Sequence, residues 1–326
     1  MKKLCVIAFA VVLGLSVTVA DAARTLKVGH GLPTTHPLHQ GAEKFAELVS
    51  ERTNGEVTIE VFPALQLGSV REMFEDLTLG TLDIALITTD TPAFLGLKYW
   101  RLLESGYMYR DYEHAKKFFE SPLMQELSDE LEKKHRITVL DPSFYYGIRH
   151  LTTANTPVKT PEDLKGLKIR VPEAPGYLNT LKGMGANVTP VAFGELYMAL
   201  KTGIVDGQEN PFATIYSYKF YEAQKYLNLT GHLISHNTAF MSTDVLESFD
   251  DATQKILKDA MREASDYNDQ IIIDSEQDYL DKLKETGMTV VEADAEAFRT
   301  KAVKYLQEEW YTPEEAEFHK KIQAIQ

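Results

Sequence analysis

The chain has 326 residues with 48 acidic and 34 basic side chains, which gives a formal net charge of −14. This acidic balance argues against nucleic acid as a partner, and an anionic ligand would require a local basic pocket. The only cysteine is Cys5, which lies in a segment predicted to be removed. A disulfide is therefore excluded from the mature protein, which must rely on its hydrophobic core.

The N-terminus has the three regions of a secretory signal peptide. Two lysines precede an apolar run from Leu4 to about Ala20, and Ala20-Asp-Ala22 forms a small-x-small cleavage site. A membrane anchor is the alternative, but the run is short for a spanning helix, which needs ~20 residues. The sequence therefore predicts removal of residues 1–22, export to the periplasm and a mature chain long enough for two lobes.

Strands and helices alternate in the first half of the chain. Apolar runs and alternating patterns predict strands, and apolar residues at helical spacing predict helices. In chain order we expect strand 25–29, helix 37–52, strand 57–62, helix 69–79, strand 83–87, helix 112–135 and strand 137–140. This alternation predicts a parallel sheet with helices on its faces.

A second α/β pattern follows a predicted crossing between the lobes near 144–152. Thr160-Pro-Glu-Asp163 has the composition of a helix start. Further on we expect strand 168–171, helix 177–184, strand 187–190, helix 195–202, a strand near 238–241, a helix at about 250–286 and a helix from 295 to the end. The last two are long enough to brace both lobes.

Arg170 and Asn210 together predict an anion site. Arg170 ends the apolar strand 168–171, where a guanidinium must reach solvent or find an anion, and its fork of donors suits a carboxylate. Asn210 stands just before a proline, so its backbone is expected to be extended and its amide can face a cleft. The alternative is that Arg170 is an ordinary strand-end charge paired with an acidic side chain.

Several motifs occur in a fixed order along the chain. They are Pro63-x-x-Gln-Leu-Gly68, Tyr145-Tyr-Gly-Ile-Arg149, Pro161-Glu-Asp-Leu-Lys-Gly-Leu-Lys-Ile-Arg-Val-Pro172, Ala192-Phe-Gly-Glu-Leu-Tyr-Met-Ala-Leu200 and Val205-Asp-Gly-Gln-Glu-Asn-Pro211. In content and order they resemble the substrate-binding proteins of tripartite ATP-independent periplasmic (TRAP) transporters, of the dicarboxylate-binding type. The resemblance covers essentially the whole mature chain.

The resemblance implies a two-lobed α/β periplasmic-binding-protein fold, each lobe a mainly parallel sheet flanked by helices, with long helices bracing both lobes. The implied parts are lobe I at 23–147 and about 236–275, lobe II at 148–235 and about 276–300, and C-terminal helices at 301–326. It also implies a receptor without enzymatic activity or cofactor. Such a receptor binds a small organic acid, closes around it and delivers it to the TRAP membrane permease.

The resemblance also assigns four ligand-binding residues. The arginine that makes the principal bidentate pair with the ligand carboxylate corresponds to Arg170. The asparagine of the Glu-Asn-Pro turn corresponds to Asn210, and the arginine of the Gly-x-Arg crossing to Arg149. Phe193, in Ala-Phe-x-Glu, is expected to pack on the body of the ligand.

Five further residues are expected at the ligand. Tyr146 and Tyr177 belong to an aromatic group around the expected cleft, for which core packing is the alternative. His232 corresponds to a cleft-side residue, with a structural histidine as the alternative, and Glu173 follows the Arg-Val-Pro strand, with a solvated loop carboxylate as the alternative. Thr88 stands where some acidic-sugar receptors have a glutamate, which argues against sialic acid as the ligand.

Two other functional classes remain as alternatives. An exported hydrolase lacks support, because the chain has no Gly-x-Ser-x-Gly elbow, no His-Glu-x-x-His motif and no cysteine in its mature part. A ligand-binding component of a sensor is equally compatible with the sequence. The cluster of His30, His36 and His39 fits no standard spacing of metal ligands, and no metal is expected. The acid itself is left open among dicarboxylates, sugar acids and keto or aromatic monocarboxylates, with a slight preference for a monocarboxylate.

Overall fold

The computed structural model describes residues 23–326, so the predicted signal peptide lies outside the described residues. The strands are β1 (Arg24–His30), β2 (Val57–Phe62), β3 (Ile84–Thr88), β4 (Ile137–Thr153), β5 (Lys168–Val171), β6 (Asn187–Pro190), β7 (Gly207–Asn210), β8 (Tyr226–Ser242) and β9 (Thr289–Val291). The α-helices are α1 (Pro37–Arg52), α2 (Val70–Leu79), α3 (Tyr112–Phe119), α4 (Pro122–His135), α5 (Pro175–Met184), α6 (Leu196–Lys201), α7 (Phe212–Ser217), α8 (Thr243–Glu247), α9 (Asp251–Glu285), α10 (Ala295–Tyr305) and α11 (Pro313–Gln323).

The strands form one sheet in the order β2-β1-β3-β8-β4-β7-β5-β6, with β9 paired to β8. On one side β1 is parallel to β2 and β3, and on the other β5 is parallel to β6 and β7. Three antiparallel pairs, β3–β8, β8–β4 and β4–β7, join the two parallel groups. Since β4 and β8 have 17 residues each and pair along most of their length, the two groups are linked by two long adjacent strands.

Within residues 23–326, four apolar clusters pack on the sheet, two on each side of this link. Two of them draw their buried residues from 26–146 and 239–264, together with Phe318 and Ile322 near the C-terminus. The other two use residues from 151–233 and 283–302. Helix α9, with 35 residues, contacts α1, α7 and β4, so it braces both sides.

Two strands are longer than the sequence predicts. The predicted strand 137–140 and the predicted crossing near 144–152 are one strand, β4, whose register shifts between Val139 and Leu151 hide the regular alternation. Strand β8 begins at Tyr226, well before the predicted start near 238. Its first part buries polar side chains such as Asn228 and His232, which hide the strand in the sequence. Alternating polarity cannot reveal a strand whose buried face is polar.

Two predicted helices are divided in the structure. The segment 112–135 breaks at Ser121, whose side chain caps α4 and is followed by Pro122 at the first turn. The C-terminal segment breaks at Thr312, which caps α11 through a capping box with Glu315. Within residues 23–326, no helix is both long and apolar enough to cross a bilayer.

Candidate functional site

A cavity of about 140 Å³ lies where the two sides of the molecule meet. Its wall includes the carboxyl-terminal ends of four strands: Gly31 after β1, Thr88 in β3, Arg170 in β5 and Asn210 in β7. Ligands of open α/β sheets bind at this end of the strands. Most of the remaining wall is apolar, with Leu32, Leu38, Leu65, Leu86, Ile87 and Phe94 among its residues. An apolar cavity with a few convergent polar groups is the usual form of a small-ligand site.

Arg170 is a fully buried cation in the wall of this cavity, which Arg71 and Arg149 also line. Its side chain is 1% exposed, and its Nε donates to the carbonyl oxygen of Val191 at 2.9 Å. In the described part of the chain, its buried Nη1 has no hydrogen-bond partner. Burial lowers the pKa of Arg170 to about 10, so the group stays charged at neutral pH. The guanidinium carbon is 5.7 Å from the centre of the Phe193 ring, which lines the cavity beside it.

Arg149 also lines the cavity, but most of its donors bind the protein. Its Nε and Nη2 donate to the Glu209 carboxylate at 2.5 and 2.9 Å, and Nη2 also reaches the Oδ1 of Asn210 at 3.0 Å. Asn210 in turn donates from Nδ2 to Gln208 at 2.5 Å. Arg149 and Asn210 therefore form an internal network beside Arg170.

Glu209 is the counterion that the sequence reading missed. Burial opposes its ionisation, yet Arg149 and His232 outweigh that effect, and the pKa of Glu209 is lowered to about 2. The Nε2 of His232 is 3.3 Å from this carboxylate and its Nδ1 is 2.8 Å from the Thr230 hydroxyl. His232 is fully buried and is not among the residues that line the cavity, so its place at the ligand stays a prediction, with a structural role beside Glu209 as the alternative.

Tyr146 connects the cavity wall to both sides of the molecule. Its hydroxyl accepts a hydrogen bond from Thr214 at 2.7 Å, and the Thr214 hydroxyl is 3.2 Å from the Nε2 of His36. His30 and His39 form a separate contact of 3.1 Å. Burial lowers the pKa of both His30 and His36 to about 3, so both rings are neutral. Among residues 23–326, no group of three His, Cys, Asp or Glu side chains is placed to hold a metal ion.

Tyr177 lines the cavity and is held from behind by Glu104. The Tyr177 hydroxyl donates to the Glu104 carboxyl group at 2.6 Å, and so does the Ser235 hydroxyl, while the His236 backbone amide donates at 2.9 Å. Burial raises the pKa of Glu104 to about 8, with Asp90 adding to the effect. Glu104 lies in an irregular segment without a motif, so no sequence signal indicates its role.

Replacement of Glu104 by glutamine is expected to flatten the dependence of stability on pH. Between its unfolded value near 4.5 and its folded pKa of about 8, Glu104 keeps a proton only in the folded state. Stability therefore falls as the pH rises through this window, and glutamine removes that contribution. Urea unfolding measures the free energy of unfolding at pH 5 and pH 8. Relative to the wild type, that of the variant should be higher at pH 8 than at pH 5 by a few kcal/mol. An equal difference at both values would contradict this assignment, and the exposed Glu317→Gln is the matched control.

Two expected cavity residues differ in their exposure. Thr88 lines the wall at the end of β3, while Glu173 lines the cavity but is exposed, which places it at the mouth. Two residues beyond Thr88, the wall contains Asp90, which is 4% exposed. The sequence analysis considered Thr88 in place of a glutamate and did not consider Asp90. The polar run that follows an apolar strand, Thr88-Thr-Asp-Thr91, was the signal that would have found Asp90.

A family model and individual relatives match this chain. The model described as Bacterial extracellular solute-binding protein, family 7, matches residues 28–312. The sialic acid-binding periplasmic protein SiaP of Vibrio cholerae is 34% identical over 299 residues, which is 92% of each chain. These matches confirm the family that the motifs suggest.

Solved structures extend the comparison to the fold. A TRAP periplasmic solute-binding protein from Polaromonas sp. JS666, bound to D-erythronate, has a TM-score of 0.85 and 32% identity, over 93% of this chain and 99% of that chain. One from Actinobacillus succinogenes 130Z, with bound L-galactonate, has a TM-score of 0.85 and 31% identity, over 92% and 99%. The predicted two-lobed α/β fold is confirmed.

The same comparisons decide between the functional classes left open by the sequence. The matched proteins are solute-binding components of transport systems, not enzymes, so the prediction of a receptor without enzymatic activity is confirmed. The chain therefore belongs to family 7 of the bacterial extracellular solute-binding proteins, the periplasmic receptors of TRAP transporters.

Proposed function

We propose that this receptor binds a small organic acid through a carboxylate clamp centred on Arg170 and delivers it to a TRAP membrane permease. The observation that carries the proposal is that Arg170 lines the cavity and that its buried Nη1 has no hydrogen-bond partner in the described residues. A buried charge is costly unless an opposite charge and hydrogen bonds compensate it. A ligand carboxylate meets both needs, because it accepts two parallel bonds from a guanidinium.

The residues around Arg170 have different roles in this clamp. Arg149 holds Asn210 and the wall in place through its pair with Glu209, and its positive charge adds to the attraction. Phe193 covers the guanidinium and packs on the body of the ligand. Tyr146 and Tyr177 form the aromatic wall, and Glu173 closes the mouth.

The clamp alone gives weak binding. A charge-assisted hydrogen-bond pair contributes about 1.5–3 kcal/mol net, whereas micromolar affinity requires about 8 kcal/mol. The apolar lining must supply most of the difference, at about 25 cal/mol for each Å² of apolar surface removed from water. Closure of the lobes adds to this, because exclusion of water strengthens the charged contacts.

Contacts between the two sides support closure around the ligand. The Tyr218 hydroxyl donates to the carbonyl oxygen of Gly31, and the His36 ring meets the Thr214 hydroxyl, beside the cavity in both cases. We take lobe I as residues 23–147 with 236–275, and lobe II as residues 148–235 with 276–300. The permease recognises the closed conformation of the two lobes. Export by removal of residues 1–22 completes the proposal.

A thermal-shift screen of the purified protein, freed of ligand by unfolding and refolding, tests the proposal. It compares dicarboxylates, sugar acids, keto acids and aromatic acids with the uncharged amide of each. An acid at a hundred times its Kd stabilises the fold by about 2.7 kcal/mol, which raises Tm by roughly 4 °C or more. The amides are expected to give no shift, because they offer Arg170 no charge. No shift with any acid, or equal shifts with the amides, would refute the clamp.

A further inference from the structure

Asp90 places a negative group in the same cavity as Arg170. Its side chain is 4% exposed and lines the wall together with Arg149 and Arg170. Asp90 precedes the short helix Thr91–Leu95, where an aspartate usually caps the helix, but its side chain makes no capping bond there. Helix capping therefore does not explain why a carboxylate is buried at this position.

Two groups next to Asp90 are polar and uncharged, while Arg149 and Glu104 are the ionisable groups close enough to affect it. Thr88 and Asn237 lie opposite each other across the β3–β8 pair, and both line the cavity. Burial raises the pKa of Asp90 to about 6, against the Thr88 hydroxyl and Arg149, which favour its ionised form. Asp90 is therefore a hydrogen-bond acceptor beside the neutral Thr88 and Asn237, and it suits a ligand hydroxyl.

The size of the cavity limits the ligand. Its volume of about 140 Å³ is close to that of an engineered cavity of about 150 Å³ that accommodates benzene. An acid of roughly four to six carbons fits this space.

We propose that Asp90 accepts a hydrogen bond from a hydroxyl group of the ligand, and that the ligand is a short hydroxy acid with one carboxylate. The inference rests on the proposed function, in which Arg170 binds that carboxylate. A second carboxylate at this end would be repelled by the negative charge of Asp90. An alkyl chain there would leave the buried Asp90 acceptor without a hydrogen bond. An ammonium group would pair with Asp90, but the positive charges of Arg149 and Arg170 in the same cavity oppose it.

A series of four-carbon acids tests the inference. All of them share one carboxylate, and they differ in the groups on the other carbons. The probes are the erythronate and threonate enantiomers, butyrate, succinate and 4-aminobutyrate, titrated by calorimetry into the wild type and Asp90→Asn at pH 7.5. In the wild type the best trihydroxy acid is expected to bind at least tenfold more tightly than the other three probes. In Asp90→Asn its advantage over succinate is expected to fall at least tenfold, since an amide donates to a second carboxylate.

The outcomes separate this inference from the proposed function. If no acid binds the wild type, or if Arg170→Lys leaves affinity unchanged, the clamp itself fails. Suppose that Arg170→Lys weakens the binding of every acid, but Asp90→Asn leaves the ratio of the affinities for trihydroxy acid and succinate unchanged. In that case only the role of Asp90 is overturned. A wild-type preference for 4-aminobutyrate, butyrate or succinate overturns the hydroxy-acid assignment.

A second variant keeps the test decisive if Asp90→Asn does not fold. Asp90→Glu retains the acceptor but extends it by one methylene into a small cavity. It is expected to shift the preference from the four-carbon acid to three-carbon glycerate by at least tenfold. An unchanged preference for chain length would place the carboxylate away from the ligand and overturn the proposal.

Discussion

Arg170→Lys is expected to weaken binding of the acid identified by the screen by about tenfold to a hundredfold, although the charge is retained. In the wild type, Nε donates to Val191 at 2.9 Å and so fixes the plane of the guanidinium, whose terminal nitrogens are then available to a carboxylate. A lysine ammonium has no planar fork and no group that bonds Val191 in the same way. The lost bidentate bond corresponds to about 1.5–3 kcal/mol, at about 1.4 kcal/mol for each tenfold change.

Titration calorimetry at pH 7.5 measures this effect, with Arg262→Lys as the matched control. Arg262 is exposed and pairs with Glu120 outside the cavity wall, so its replacement is expected to leave affinity unchanged. The melting temperature of each ligand-free variant shows that the fold is retained. Equal affinity of wild type and Arg170→Lys would mean that the ligand does not use the fork of Arg170.

Most helices and strands could be predicted because their patterns are local. Helix α1 follows the predicted 37–52 because its apolar residues recur at helical spacing, and α9 follows its predicted span within about a residue at each end. The predicted β4 and β8 are too short, because bulges and buried polar side chains remove the alternation of polar and apolar residues. Pairing of two distant segments determines these strands, and a single sequence does not contain that information.

The site shows the same division between local and distant information. Arg170 was found because a charged residue ending an apolar strand is visible in the sequence, and the structure places it in the cavity wall. Glu209 stands in the motif at 205–211, but its role depends on Arg149. Arg149 is 60 residues away in the chain and contacts Glu209 across the β4–β7 pair. Glu104 reaches Tyr177 over 73 residues. Partners of buried charges are brought together by topology, so they are recognised only in the fold.

Glu209→Gln is expected to lower the free energy of unfolding by about 3–5 kcal/mol at pH 7. The side chains of Arg149 and Glu209 are 3% and 0% exposed and form a bidentate pair. Removal of one partner leaves the other charge buried without compensation, which costs far more than the loss of an exposed pair. Urea unfolding measures the change, and Glu317→Gln, which removes an exposed pair with Lys320, is expected to cost at most about 1 kcal/mol.

The pH dependence of the Glu209→Gln effect provides an independent check. Because the folded pKa of Glu209 is lowered from 4.5 to about 2, its stabilising contribution is present above pH 4.5 and is lost as the pH falls through that window. The difference between wild type and variant should therefore be smaller at pH 3.5 than at pH 7. A difference that is constant with pH would show that glutamine disturbs packing rather than charge. Since Arg149 also holds Asn210, a charge effect should be accompanied by weaker binding of the acid in the same variant.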